Sequence, residues 1–131
     1  MLIVDDHQAM RAALREVLQS AYPGTSIFEA ADGAGAIALC LSRSPRLVLM
    51  DVGLPDANGI ELTAQIKKML AETEVIIVSQ HSADVYAERA RAAGAFAYIT
   101  KDKVHRELLP TIARALARVP SDGTPATLPR E

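Results

Sequence analysis

Five short apolar runs alternate with five stretches of helical spacing, and this alternation constrains the fold more than any other feature of the chain. Leu2-Ile3-Val4, Leu47-Val48-Leu49-Met50 and Val75-Ile76-Ile77-Val78 are unbroken, as expected of strands covered on both faces. Thr25 to Phe28 and Phe96 to Ile99 read as the other two strands. Met10, Leu14, Val17, Leu18 and Ala21 mark one face of a first helix, and Ile37, Cys40 and Leu41 mark a second that stops near Pro45. Asn58 should cap a third helix that buries Leu62, Ile66, Met69 and Leu70 and turns Lys67 and Lys68 to water. The fourth, Ala83 to Ala93, has the poorest stripe: Val85, Tyr86, Ala90 and Ala93 are its only anchors, and Gly94 is its stop. Leu108, Ile112, Ala115, Leu116 and Val119 line the fifth, with Pro110 inside it, where a missing N–H costs about 3 kcal/mol or bends the helix. Strands and helices of these lengths make right-handed βαβ units. The expected architecture is therefore α/β, a (βα)5 doubly wound, five-stranded parallel sheet with helices on both faces.

With 131 residues, half of them apolar, the chain suits one core, expected over residues 1–119. Residues 120–131 hold three of the seven prolines and no helical stripe, and read as a linker. A net charge of −2 without a dense basic run gives no general attraction for nucleic acid or anionic lipid. Cys40 is the only cysteine, so an internal disulfide is impossible, and its apolar neighbours make it a small buried hydrophobe. No stretch is apolar for long enough to be a signal peptide or membrane span, so a cytoplasmic protein without membrane partners is expected.

In parallel sheets of this kind ligands bind at the carboxyl ends of the strands. The pattern delivers Asp5 and Asp6, Asp51, Ser79 and Lys101 to that edge. Singly these are weak signals, since Asp-Asp pairs often cap helices, serines often sit in turns and lysines are usually solvated. Four strand ends with matching chemistry are far more specific. Three carboxylates brought together repel one another, and a divalent cation relieves this. Oxygen ligands without Cys or His favour Mg2+ (or Mn2+). Asp6 and Asp51 are expected as direct ligands, Asp5 as a partner through water, and Gly53 as donor of a backbone carbonyl. A free Asp51 oxygen can then attack a phosphoryl group in line, with Lys101 pairing to one phosphoryl oxygen and Ser79 donating to another. The product is an acyl phosphate on Asp51, later hydrolysed by water.

These residues carry a close resemblance to the receiver (CheY-like) domain of bacterial two-component response regulators. The stretches are Leu2-Ile3-Val4-Asp5-Asp6-His7, Asp51-Val52-Gly53-Leu54-Pro55, Asn58-Gly59, Val78-Ser79, Ala93-Gly94-Ala95 and Tyr98-Ile99-Thr100-Lys101-Asp102, and the likeness covers residues 1 to about 119. It implies a flavodoxin/CheY-like sheet and a sensor histidine kinase as phosphoryl donor. It further implies Asp51 as phosphoacceptor, Asp5 and Asp6 as the acidic pair, Lys101 as the lysine, Ser79 as switch hydroxyl and Tyr98 as switch aromatic. Such a domain is no enzyme beyond its own phosphorylation and dephosphorylation. Asp5-Asp6-His7, Ser79-Gln80-His81-Ser82 and Lys101-Asp102 resemble receivers that precede a LuxR-type helix-turn-helix, and Leu128-Pro129-Arg130-Glu131 resembles the opening of that domain. A C-terminal output domain would then follow, with DNA met only through it and transcription as the output. The last two helices offer faces for a homodimer. Gln80 is bulkier than residues common after the switch hydroxyl, and Gly53 has no side chain near the attacking water; both bear on acyl-phosphate lifetime. His7 is expected to pack beside the site rather than to ligate.

Three rivals share parts of this pattern. A dehalogenase-type phosphatase needs a second acid two residues after its nucleophile, but Gly53 and Gln8 occupy the candidate positions. Gly33-Ala34-Gly35-Ala36-Ile37-Ala38 fits a dinucleotide-binding loop, yet Asp32 would face the pyrophosphate, so the match reads as a decoy. A degenerate, stand-alone interaction receiver would not be expected to retain all five site groups.

Overall fold

In the computed structural model, residues 1–118 are described, so Val119 and the linker 120–131 lie outside the described residues. Five strands, β1 (Leu2–Val4), β2 (Phe28–Ala30), β3 (Leu47–Met50), β4 (Glu74–Ser79) and β5 (Ala97–Thr100), form one parallel sheet in the order β2-β1-β3-β4-β5. Helices α1 (Gln8–Ala21), α2 (Gly33–Arg43), α3 (Gly59–Met69), α4 (Ala83–Ala92) and α5 (Val104–Leu116) connect and follow them.

The strands bury both faces, and their side chains divide by the period of two that a pleat imposes. Leu2, Val4, Val48, Met50, Val75 and Ile77 join a core that includes Ala36 and Cys40 of α2, Leu62 and Ile66 of α3, and Ala90 of α4. Ile3, Leu47, Leu49, Ile76, Val78 and Ile99 face Leu14 and Leu18 of α1 and Leu108, Ile112 and Ala115 of α5. The doubly wound expectation therefore holds, with α1 and α5 on one face and the other three helices opposite. The chain reverses its winding direction between β1 and β3, which places a ligand crevice at their carboxyl ends.

Several local expectations shift. β2 begins at Phe28 rather than Thr25 and runs on through Glu29, because Leu2, the first residue of β1, lies opposite Phe28. β5 is offset by one residue, to Ala97–Thr100. Leu41 and Val85, expected on buried stripes, are 63% and 62% exposed, and Met69 at the end of α3 is also exposed. The buried line of α2 runs through Gly33, Ala36 and Cys40, which turns Leu41 outward. Lys67 is half-buried rather than solvated, and its ammonium donates to the carbonyls of Ala71 and Thr73 at 2.8 Å each.

Gly94 follows the α4 cap at φ +103°, the left-handed conformation a glycine stop supplies. Pro110 lies beyond the first turn of α5 but faces solvent. The carbonyl it leaves without a helical N–H partner is on the wet side, where hydration offsets the loss. Cys40 is fully buried, and desolvation pushes its thiol up to about 11. Among the described residues no helix is long and apolar enough to cross a membrane.

Candidate functional site

The crevice at the ends of β1 and β3 is built by backbone pairing before any side chain enters. Asp5 N–H donates to Ala30 O of β2 at 3.1 Å, and Asp51 N–H to Val4 O of β1 at 2.9 Å, so both acids sit one residue beyond a hydrogen-bonded strand. The parallel register carries Ser79 to the last position of β4, opposite Thr100 of β5, with Lys101 next along the chain.

Four of the expected residues converge. Ligand atoms of Asp5, Asp6, His7 and Asp51 all lie within 4.8 Å of one another. Lys101 Nζ is 2.9 Å from Asp5 Oδ2 and 3.7 Å from Asp51 Oδ2. Asp5 is 2% and Asp51 6% exposed, whereas Asp6 lies open to solvent. Asp51 Oδ1 also accepts from Val52 N–H at 2.9 Å. Burial, then the charge of Asp5, push the Asp51 carboxyl above its usual range, against the pull of Lys101 and the Val52 N–H.

Buried acid with too little compensating charge is a site that favours a further cation. Oxygen donors at this mutual spacing, on a short loop and a strand end, suit a hard divalent ion. His7 lies against the pair, with Nδ1 3.2 Å from one carboxylate oxygen each of Asp5 and Asp6 and its backbone N–H donating to Asp5 Oδ1 at 2.8 Å. Gly53 is exposed on the 52–58 loop, bridged to Asn58.

Ser79 is fully buried, and its Oγ accepts from the N–H of His81 at 3.1 Å. Tyr98 is half-buried, and its hydroxyl donates to the carbonyl of the same His81 at 2.9 Å. Burial raises the Tyr98 phenol above its ordinary value, so it stays a donor at neutral pH. The His81 ring stands 5.2 Å from that of Tyr86 on α4. One residue thus ties the candidate switch hydroxyl, the switch aromatic and the weakest helix together.

Sequence reasoning passed over several contributors. A Cβ on Gly59 would lie 1.9 Å from the carbonyl oxygen of Asp51, so only glycine lets the start of α3 close on the Asp51 backbone; the Asn58-Gly59 pair marked the place without the reason. Asp56 accepts from Gly33 N–H at 2.7 Å and Ala34 N–H at 3.1 Å, and Asp32 accepts from Gly35 N–H at 2.8 Å. The N–H groups that a pyrophosphate would need at the start of α2 already face carboxylates, as the decoy reading requires. Arg11 donates to the Asp5 carbonyl at 2.8 Å and to Glu29 at 3.0 Å. Its only mark in the sequence is a basic residue at the start of a helix, where acids are the more usual choice.

The chain is similar to known proteins over most of its length. Residues 1–113 match the family described as response regulator receiver domain. The chain is 30% identical over 112 residues to response regulator UvrY of Escherichia coli K12, covering 86% of this chain and 51% of that one. It is 30% identical over 119 residues to the nitrate/nitrite response regulator protein NarL of the same strain, covering 89% and 54%. The crystal structure of a LuxR-family two-component response regulator from Aurantimonas sp. SI85-9A1 superposes with TM-score 0.82 at 34% identity, over 88% of this chain and 83% of that one. The chain spans about half the length of the curated relatives it matches. With the match spanning most of the chain, the chain belongs to the response regulator receiver domain family.

Proposed function

We propose that Asp51 accepts a phosphoryl group from a phosphohistidine of a sensor kinase, in the presence of Mg2+ or Mn2+, and that the acyl phosphate resets the β4–α4 region to drive an output domain. The observation that carries the reading is the placement of Lys101 within ion-pair reach of both Asp5 and Asp51, beside Asp6. Asp5, Asp6, Asp51 and the backbone carbonyl of Gly53 would hold the cation, which when bound neutralises charge on the transferring oxygens.

The free Asp51 oxygen attacks phosphorus in line. The P–N bond breaks, its electron pair stays on the imidazole nitrogen, and that nitrogen takes up a proton. Lys101 turns its ammonium to a phosphoryl oxygen, and Ser79 donates its hydroxyl hydrogen to another. Drawn toward that oxygen, Ser79 moves away from the N–H of His81, the residue whose carbonyl accepts from Tyr98. Freed from that carbonyl, Tyr98 can turn inward into the space Ser79 leaves, and α4 shifts with it. α4 buries only Ala90, so it is the helix that costs least to move.

The LuxR-type likeness and the half-length match support a DNA-binding output domain and a role in transcription. Acetyl phosphate with Mg2+ should give a slower-migrating band on phosphate-affinity electrophoresis in the parent and none in Asp51→Asn. An unshifted parent protein, folded and supplied with Mg2+, would refute the phosphoacceptor role.

A further inference from the structure

We infer that Arg11 is a positioning residue for the acidic pair: through its guanidinium, the Arg15–Glu29–Arg11 clamp fixes the Asp5–Asp6 peptide and so sets the affinity of the site for a divalent cation. The inference rests on the proposed reading of Asp5, Asp6 and Asp51 as cation ligands.

Arg11 lies in the first turn of α1, and its side chain is only 17% exposed. Its guanidinium bridges two elements. Nε donates to Glu29 Oε1 on β2 at 3.0 Å, and Nη1 donates to the backbone carbonyl of Asp5 at 2.8 Å. Glu29 is held in turn, because Arg15 Nε takes its other oxygen at 2.5 Å while Arg15 Nη2 donates to Ile27 O at 2.9 Å. Hydrogen bonding from Arg15, with Arg11 adding to it, keeps the Glu29 carboxyl below its usual range, so the clamp stays ionised at neutral pH.

The oxygen that Arg11 holds belongs to the peptide between Asp5 and Asp6. Only residues 5–7 separate β1 from α1, so this loop has few bonds with which to compensate. Asp5 N–H is fixed by Ala30 O, and Arg11 fixes the next carbonyl. Together they set the plane from which both carboxylates project. A planar fork suits this task, whereas a lysine ammonium is a point charge on a flexible stem.

Charge and geometry predict opposite signs for the loss of Arg11. Removing a cation near an acidic site should strengthen the attraction for a dication on Coulomb grounds alone. Releasing the Asp5–Asp6 peptide should weaken it. Outer-shell partners of ligands typically change metal affinity by roughly 10–100-fold.

The test is Mn2+ binding to the unphosphorylated protein, read from the paramagnetic resonance of free Mn2+. Arg11→Ala should raise the Mn2+ dissociation constant about tenfold, and Arg11→Lys should fall between it and the parent. Phosphorylation by acetyl phosphate should need more Mg2+ for half its maximal rate, while the rate at saturating Mg2+ is kept. A folded Arg11→Ala that binds Mn2+ as tightly as the parent, or more tightly, would overturn the positioning role. Should Arg11→Ala fail to fold, Glu29→Gln keeps the Arg11 charge and loosens the clamp; weaker Mn2+ binding supports the role, and unchanged binding overturns it. Absence of Mn2+ binding by the parent would overturn the cation site itself, and the positioning role with it.

Discussion

Gly59→Ala sets two effects of known size against each other at the backbone of the phosphoacceptor candidate. Gly59 is the first residue of α3, with no positive φ, so an alanine there is conformationally welcome. Helix propensity alone would reward the change by up to about 1 kcal/mol. The added Cβ, however, would lie 1.9 Å from Asp51 O and 2.8 Å from Asp51 C, where Cβ contacts shorter than 3.0 Å are essentially never seen. Restoring even 3.0 Å requires a displacement of 1.1 Å, shared between α3 and the peptide after Asp51. Neither side moves freely, since Gly59 N–H holds Val52 O at 2.7 Å and Asp51 N–H holds Val4 O. Overpacking of this kind costs about 1–3 kcal/mol; a 1.1 Å clash against held backbone belongs to the upper part of that range, so after the propensity gain a net loss of up to about 2 kcal/mol is expected in urea unfolding. Misplacing a reacting group by about 1 Å can cost on the order of 100-fold in rate, so phosphorylation by acetyl phosphate should fall further than stability does. Gly53→Ala is the control: its Cβ meets nothing within 4 Å, and stability should change by less than about 0.5 kcal/mol. A Gly59→Ala protein as stable as the parent and equally fast in phosphorylation would show that the close approach does not constrain the site.

Two further outcomes follow from the site's electrostatics and its outward latch. In chelator, Asp51→Asn should be more stable than the parent at neutral pH, because the parent must keep a buried carboxylate ionised beside Asp5. Since the folded-state pKa is raised, the parent gains a proton on folding as pH falls through that value, and the advantage of Asn should shrink and vanish below the ordinary 3.8; an advantage independent of pH would refute this cause. Tyr98→Phe removes the hydroxyl that holds His81 O, a loss of about 1 kcal/mol, and should speed amide exchange in α4 while leaving the phosphorylation rate intact. Loss of phosphorylation in that variant would place Tyr98 in the reaction rather than in the switch.

The fold was legible wherever burial on two faces left no room for polar residues. Leu47 to Met50 and Val75 to Val78 are continuous apolar runs because helices cover both sides, and the structure buries every one of these residues. Legibility failed where partners decide the outcome. Glu29 looks unlike a strand residue, yet it belongs to β2 because Arg11 and Arg15 meet its charge. Leu41 and Val85 fit helical stripes by spacing but lie outside the arcs that touch the sheet, and spacing alone does not give the width of an arc.

The site was legible because parallel strands end on one edge, so residues just past each apolar run must become neighbours. Asp5, Asp6, Asp51 and Lys101 meet for that reason, with no local signal joining them. What supports them was hidden, since Gly59 acts by having no side chain and Arg11 acts on a backbone carbonyl.

The unequal reach of Lys101 suggests an order of events at the proposed site. One ammonium faces two buried carboxylates, at 2.9 Å from Asp5 and 3.7 Å from Asp51. In this state Lys101 stands nearer Asp5, while burial, then the charge of Asp5, push the Asp51 carboxyl upward against the pull of Lys101. A lysine held by Asp5 is poorly placed to serve an incoming phosphoryl group. Were a divalent ion held there to meet the charge of Asp5 and Asp6, Lys101 would have less reason to stay with Asp5, and its flexible stem could follow a new anion on Asp51. Cation binding and release of the lysine would then be linked through the Asp5–Asp6 peptide, whose carbonyl Arg11 holds.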